Sequence, residues 1–183
     1  VMLVVSYIFY IYGILVHEAE QEWLADRAYH DELCGTYNRT KCNERFDELD
    51  AGDAEYALIN MDLNGLKTIN DYLGHVQGDL LLQEFAAILQ DAFSGMGEVF
   101  RMGGDEFLVL VRKEQFPLID QCLNKMVRLE KRRSSELTFN IEAAYGVAKS
   151  SECPKESVQK VYMLADRRMY DMKTKQKINQ RLR

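Results

Sequence analysis

The sequence RMGGDEF, residues 101–107, places two glycines and two adjacent acids between strand-like apolar stretches. This step predicts a β-hairpin, because glycine adopts the backbone angles of a tight turn without steric cost. The turn would present the carboxylates of Asp105 and Glu106 beside bare backbone at Gly103 and Gly104. Carboxylate oxygens bind hard cations, so the turn is a candidate site for a metal ion and a phosphate-bearing ligand. An ordinary hairpin turn with solvated acids has the same local sequence.

A second acidic turn, DLNGLK at residues 62–67, follows the apolar stretch 54–61. An acid at a strand end, then a glycine and a helix start, suits phosphate, because N–H groups at a helix N-terminus point at an anion. Lys67 adds a positive charge. If neighbouring strands bring Asp62 and Asp105 together, their repulsion implies Mg²⁺ between them. The plainer interpretations are a helix cap for Asp62 and a solvated surface lysine for Lys67.

Between these turns, Asn70 and Asp79 form a candidate pair for reading a purine base. A carboxylate accepts hydrogen bonds from guanine N1–H and N2–H₂, while an amide donates to O6 or N7. Adenine has no equivalent pair of donors, so the pair favours guanine. Asn and Asp beside glycine are also usual turn residues, and Asp79 would serve equally as a helix cap.

The wider pattern predicts the fold class. Helical segments are expected at 38–50, 66–73, 77–93, 115–133 and 157–173, and strands at 54–61, 97–101, 107–111 and 137–148. Strands alternate with helices but include a tight hairpin. This predicts an α/β chain of the α+β sandwich type, with helices covering a mixed or antiparallel sheet. It is closer to a ferredoxin-like palm than to a doubly wound sheet.

Composition limits the partners. The chain has 183 residues, 47% of them hydrophobic, which supports one globular domain, and its net charge is −6. An acidic chain is a poor candidate for binding a nucleic-acid polymer. An anionic ligand such as a nucleotide would need a divalent cation to offset the repulsion. The four cysteines have no zinc-ligand spacing, which indicates reduced thiols in a cytosolic domain.

The N-terminus has a different character. Residues 1–16 (VMLVVSYIFYIYGILV) carry no charge and are expected to be the end of a transmembrane helix, with a secretory or buried helix as alternatives. The chain does not open with methionine, so the apolar segment is expected to continue upstream. Residues 17–33 have helical spacing and are expected to connect membrane and domain. Their apolar stripe would pair with a second copy or face the core.

Taken together, the motifs resemble those of the GGDEF diguanylate cyclases over about residues 28–178. They comprise DELCGTYNR at 31–39, DLNGLKTIND at 62–71, GHVQGD at 74–79, RMGGDEF at 101–107 and ADRRMYDMK at 165–173. The resemblance implies a catalytic domain at 34–183 that joins two GTP molecules into cyclic di-GMP and releases two pyrophosphates. It also implies a homodimer in which each subunit presents one GTP. The expected location is the bacterial cytoplasmic membrane, with the catalytic domain in the cytoplasm.

The resemblance assigns roles to individual residues. The Asp62 carboxylate, the Leu63 carbonyl and the Asp105 carboxylate would hold two Mg²⁺ ions, with Mn²⁺ as a possible substitute. Asp105 and Glu106 would help to deprotonate the attacking 3′-OH or orient the metals. Asn70 and Asp79 would read guanine. The residues that would hold the triphosphate or make room for the nucleotide are Asn64, Gly65, Leu66, Lys67, Gly103, Gly104, Lys173 and Lys177.

The chain departs from the family pattern at several positions. Asn64 stands where many members carry a second Asp, and Lys177 stands where an arginine often contacts phosphate. The ends of the R-x-x-D product-inhibition motif fall on Ser94 and Gly97, so feedback through that site is expected to be absent. Two other hypotheses remain: a catalytically silent module that binds GTP or cyclic di-GMP, and a cyclase that acts on a single nucleotide.

Overall fold

The computed structural model describes residue 7, residues 10–18 and residues 27–181. Residues 10–18 and 27–29 are helical. Nine regular elements follow: α1 (Arg39–Asp50), β1 (Tyr56–Leu63), α2 (Leu66–Leu73), α3 (His75–Ala92), β2 (Gly97–Gly103), β3 (Glu106–Arg112), α4 (Ile119–Glu136), β4 (Ala143–Lys149) and α5 (Val158–Arg181). Short 3₁₀ turns at Lys113–Leu118 and Ser150–Glu152 precede α4 and follow β4.

The four strands form one sheet in the order β2-β3-β1-β4, and every ladder is antiparallel. With helices between β1 and β2 and between β3 and β4, this is the ferredoxin-like arrangement. The prediction of an α+β sandwich with helices covering the sheet is therefore confirmed. β2 and β3 form the expected hairpin, with a register shift between Arg101 and Gly103.

Alternation along β1 divides the core into two layers, because successive side chains of a strand point to opposite faces. Ile59, Met61 and their like-facing neighbours pack against α3 and α4, where Phe85 meets Phe107 edge to face at 5.2 Å. Leu58 lies on the other face with α1 and α5. Asp62 has the parity of this second face, and its carboxylate meets α5.

Two predicted boundaries are wrong by six residues or more. The strand expected over 137–148 begins only at Ala143, although Phe139 and Ile141 are buried. The backbone N–H of Ile141 donates to Ser134 Oγ at 2.8 Å, so it takes no part in a ladder. The last helix, expected to end at residue 173, continues to Arg181 and carries Lys173 and Lys177 on one element.

The N-terminal predictions are only partly covered, since residues 1–6, 8, 9 and 19–26 lie outside the described residues. Among those described, no helix combines the length and the apolar character needed to cross a bilayer. The helix expected over 17–33 ends at residue 29. A turn replaces its last residues, in which Asp31 Oδ1 accepts the N–H groups of Leu33 at 3.1 Å and Cys34 at 2.9 Å.

A buried carboxyl group underlies the start of β4. Glu130 of α4 is only 6% exposed, and its Oε1 accepts the Ala143 N–H at 3.2 Å. Burial raises the pKa of Glu130 to about 8, and the nearby Glu142 adds to this effect, while the Ala143 N–H and Lys131 oppose it. The carboxyl group is therefore mostly protonated in the folded protein at neutral pH.

We expect Glu130→Gln to stabilise the domain at pH 7.5 by on the order of 4 kcal/mol. The folded pKa of Glu130 lies above its unfolded value, so its contribution to stability is full below the unfolded pKa and is lost as pH rises towards about 8. A neutral amide avoids that loss, and thermal melting from pH 4 to 8.5 measures it. The two proteins should melt alike at pH 4, and Glu156→Gln, at an exposed position, should change nothing. A difference that is independent of pH would contradict the assignment.

Candidate functional site

The two acidic turns lie side by side at one end of the sheet. Asp62 pairs with Glu106 across the β1–β3 ladder. The Leu63 N–H donates to the Asp105 carbonyl with an N···O distance of 2.9 Å. The strands thus bring the backbone of Asp105 and the end of β1 together.

An arginine of β2 holds the hairpin turn and links it to an acid outside the hairpin. Gly103 and Gly104 have φ values of 135° and 56°, which side chains rarely adopt. The Arg101 guanidinium donates to the Gly104 carbonyl at 2.9 and 3.2 Å and to the Asp31 carboxylate at 3.0 and 3.2 Å. Burial works to raise the pKa of Asp31, but the Cys34 N–H and Arg101 outweigh it and hold that pKa below its ordinary value. Asp31 therefore fixes a turn seventy residues away.

The loop after β1 leads directly into a helix N-terminus. Gly65 adopts the left-handed conformation, with φ 84°, at the N-cap of α2, where no side chain caps the helix. The N–H groups of the first helical turn are therefore available to an anion. The Asn64 N–H donates to the Glu142 carbonyl at 2.9 Å, which ties the loop to the segment before β4.

A pocket of about 270 Å³ opens in front of this helix N-terminus. Three lysines and one carboxylate contribute to it, so its charged lining is positive. The lining residues are Leu63, Asn64, Gly65, Leu66, Lys67, Thr68, Asp105, Lys173, Gln176 and Lys177. Lys173 Nζ also lies 2.5 Å from Asp62 Oδ1, whose side chain is 13% exposed, so Asp62 adjoins the pocket through Lys173. Backbone N–H groups and ammonium groups together suit a polyphosphate.

Asn70 and Asp79 lie outside that lining, at the junction of α2 and α3. A Cβ placed on Gly78 would come within 1.9 Å of Asn70 Oδ1, so the Asn70 amide lies directly over α3. Asp79 follows Gly78 and is exposed. The Asn70 amide therefore lies close to Gly78, the residue that precedes the exposed Asp79.

The oxygen donors near the two turns are few for an all-protein Mg²⁺ site. Among residues 27–181 and the described part of the N-terminal segment, no three or more His, Cys, Asp or Glu side chains gather as a metal site. The two acidic residues of the turns, Asp62 and Asp105, adjoin through the backbone, because the Leu63 N–H that follows Asp62 donates to the Asp105 carbonyl. Mg²⁺ is bound in nucleotide sites by one or two carboxylates and completes its shell with water and phosphate oxygens. The residues present therefore fit Mg²⁺ that arrives with a nucleotide.

Two features of the site escaped the sequence analysis. The bridge from Asp31 to Arg101 has no local signal, because its partners are seventy residues apart. Gln176 lines the pocket and donates to the Ala143 carbonyl. Gln176 follows Lys173 by three residues, and residues three apart on a helix share a face. This spacing could have indicated Gln176, but the helix was expected to end at residue 173.

The chain is similar to known proteins of one family. A family model described as "Diguanylate cyclase, GGDEF domain" matches residues 28–179. The protein named "Diguanylate cyclase DgcS" of Shewanella oneidensis is 28% identical over 163 residues, which is 87% of this chain and 54% of that protein. "Probable diguanylate cyclase DgcI" of Escherichia coli is 31% identical over 147 residues, 80% of this chain and 31% of that protein. The chain thus spans less than two thirds of either relative.

Solved structures show the same fold. The crystal structure of the coiled coil and GGDEF domain of DgcB from Caulobacter crescentus, in complex with c-di-GMP, superposes with a TM-score of 0.74. It covers 88% of this chain and 89% of that chain at 23% sequence identity. At this identity the likeness establishes the fold alone.

Proposed function

Because the chain belongs to the GGDEF domain family of diguanylate cyclases, we propose that it condenses two GTP molecules into cyclic di-GMP and two pyrophosphates. One observation carries the proposal for this chain. A single pocket unites the uncapped N-terminus of α2, three lysines and Asp105. Such a pocket suits a triphosphate, with a carboxylate available for the accompanying metal.

In this mechanism the protein mainly positions its substrate. Lys67, Lys173 and the N–H groups of the α2 N-terminus hold the triphosphate. Asp62, the Leu63 carbonyl and Asp105 would hold two Mg²⁺ ions, which would supply positive charge to offset the charge on the attacking oxygen and on the leaving pyrophosphate. Asp105 and Glu106 would help to deprotonate the attacking 3′-OH or orient the metals.

The reaction needs two nucleotides, so we assign the active unit to a homodimer in which each subunit presents one GTP. We also propose that the chain is tethered to the bacterial cytoplasmic membrane through residues 1–16, with the catalytic domain in the cytoplasm. In support, the described part of this segment carries exposed apolar side chains, including Tyr10, Tyr12 and Leu15. Residues 17–33 would connect this segment to the domain.

Identification of the product formed from GTP and Mg²⁺ tests the proposal. Cyclic di-GMP is the expected product. Tight GTP binding without turnover would instead establish a silent sensor module, whereas monomeric 3′,5′-cyclic GMP would establish a cyclase that acts on one nucleotide.

We further propose that the enzyme lacks high-affinity product feedback. Ser94 and Gly97 stand at the ends of the R-x-x-D pattern, and the adjoining pocket of about 310 Å³ has no arginine or aspartate in its lining. Guanidinium groups are the usual partners of phosphate, so this pocket offers a dinucleotide little charge complementarity. Added cyclic di-GMP should inhibit weakly and in competition with GTP. Potent non-competitive inhibition would contradict this expectation.

Gly78→Ala is expected to weaken guanine recognition without unfolding the domain. The new methyl group would lie 1.9 Å from Asn70 Oδ1, so the Asn70 side chain must rotate away. Alanine favours a helix over glycine by about 1 kcal/mol, which limits any loss of stability. We expect the KM for GTP to rise about tenfold and discrimination against ATP to fall, as one good hydrogen-bonding pair lost implies.

Asn70→Ala serves as the matched control for this change, because it removes the same amide directly. The two substitutions should reproduce each other, and their combination should add little to either one. Unaltered preference for GTP over ATP in Gly78→Ala would contradict the role assigned to Asn70.

A further inference from the structure

Gln176 occupies the boundary between two pockets. One is the pocket of about 270 Å³ in front of the N-terminus of α2, which we call the phosphate pocket. The other, of about 690 Å³, lies between α4, the start of β4 and α5. Gln176 Oε1 accepts a hydrogen bond from Asn64 Nδ2 at 3.1 Å. Its Nε2 donates to the Ala143 carbonyl at 3.2 Å. The side chain is half-buried, and both ends of its carboxamide are engaged.

These two bonds join three parts of the site. Asn64 begins the loop that leads to the N-terminus of α2. Ala143 is the first residue of β4, pairs with Leu63 at the end of β1, and donates its N–H to the buried Glu130. Gln176 itself lies on α5, one turn beyond Lys173. The Gln176 side chain therefore ties the loop before α2 to β4 and to α5, the helix that carries Lys173 and Lys177.

The chemistry of both partners favours amides. Asn64 supplies a donor that a carboxylate at this position would lack. A neutral carboxamide at residue 176 offers an acceptor to Asn64 and a donor to Ala143 at the same time. Neither group adds negative charge to a pocket whose lining already includes Asp105. The pair thus fixes the loop without opposing an incoming polyphosphate.

We propose that Gln176 is a positioning residue for the GTP phosphates, acting through Asn64 and Ala143 on the loop that precedes α2. The inference rests on the proposed function, since it assigns a triphosphate to the pocket. Loss of the bridge leaves the metal ligands and the lysines in place but frees the loop relative to α5. Binding of GTP is therefore weakened, whereas turnover of bound GTP is preserved.

The test uses Gln176→Met, which keeps the length of the side chain and its helix propensity but removes both hydrogen bonds. We expect KM for GTP to rise about fivefold, as the loss of a neutral hydrogen bond implies, with kcat within twofold of wild type. Asn64→Ala should give a similar rise, and the double variant should exceed neither by more than about twofold, because both changes break one bridge. Gln159→Met, at an exposed position on the same helix, should leave both parameters unchanged.

Calorimetric binding of a non-hydrolysable GTP analogue with Mg²⁺ separates this inference from the proposed function. If wild type binds the analogue but forms no cyclic di-GMP, the proposed activity fails, while a fivefold weaker Kd in Gln176→Met still supports the inference. An unchanged KM and Kd in Gln176→Met, or full additivity with Asn64→Ala, overturns the inference. Should Gln176→Met not fold, Gln176→Glu replaces it, with an expected rise in KM of at least tenfold. A KM within twofold of wild type would then overturn the inference.

Discussion

Asp105→Asn should lower the formation of cyclic di-GMP by a factor of about a thousand or more, while the domain stays folded. The Asp105 backbone is fixed beside Leu63, and Asp105 is one of the residues that line the phosphate pocket. An amide keeps the size of the carboxylate but removes the charge that a divalent cation requires. Loss of several kcal/mol of transition-state stabilisation corresponds to this factor.

Product formation under saturating GTP and Mg²⁺ measures the effect, and thermal melting confirms that the fold is retained. Asp171→Asn makes the same chemical change at an exposed position of α5 and should leave activity intact. Retention of more than a tenth of wild-type activity in Asp105→Asn would refute its assignment as a metal ligand.

Gly146→Ala is expected to destabilise the domain by about 3 kcal/mol, the upper part of the range for overpacking a core. Gly146 lies in β4, where α5 crosses the strand closely. An added Cβ would come within 2.1 Å of the Ala165 carbonyl oxygen and 2.3 Å of the Met169 nitrogen. Both are backbone atoms, so relief requires α5 to move as a whole. Because α5 also carries Lys173, we expect KM for GTP to rise as well.

Thermal denaturation should show a melting temperature lowered by roughly 6–12 °C, given the usual change per kcal/mol for a domain of this size. Gly52→Ala is the matched control, since its Cβ would meet only the Glu48 carbonyl oxygen, at 3.4 Å. It should melt within about 1 °C of wild type. Equal melting of the two alanine variants would show that α5 does not pack against β4 as described.

Local sequence predicted the fold because its signals are short-range. The hairpin at 97–111 is encoded by two glycines between apolar runs, and α3 by apolar residues at helical spacing. Local signals gave a wrong strand boundary where backbone groups bond to a side chain and not to a neighbouring strand. The stretch 137–142 is apolar enough for a strand, yet Ile141 bonds to Ser134 and the ladder begins at Ala143. Hydropathy reports burial and does not identify a hydrogen-bond partner.

Some residues of the candidate site could also be predicted from local sequence, whereas others could not. Asp62, Lys67, Asp105 and the glycines beside them were found because the types and spacing of these residues suit phosphate and metal, and their roles remain predictions. The bridge from Asp31 through Arg101 to Gly104 was not found, since it joins segments seventy residues apart. Gln176 was missed for a related reason, because its contacts with Asn64 and Ala143 exist only once α5 lies across β4.

The sequence by itself therefore determined the family, the α+β fold and the identity of the charged groups, because these depend on local pattern and residue chemistry. Only the tertiary structure decided how the groups are held. The hairpin turn is held by Arg101, which the distant Asp31 fixes in place. Lys173 is brought to Asp62 by a helix that continues to Arg181, and Gln176 joins the loop to that helix. These contacts connect residues far apart in the chain, and their geometry is fixed by how α5 and the hairpin pack on the sheet.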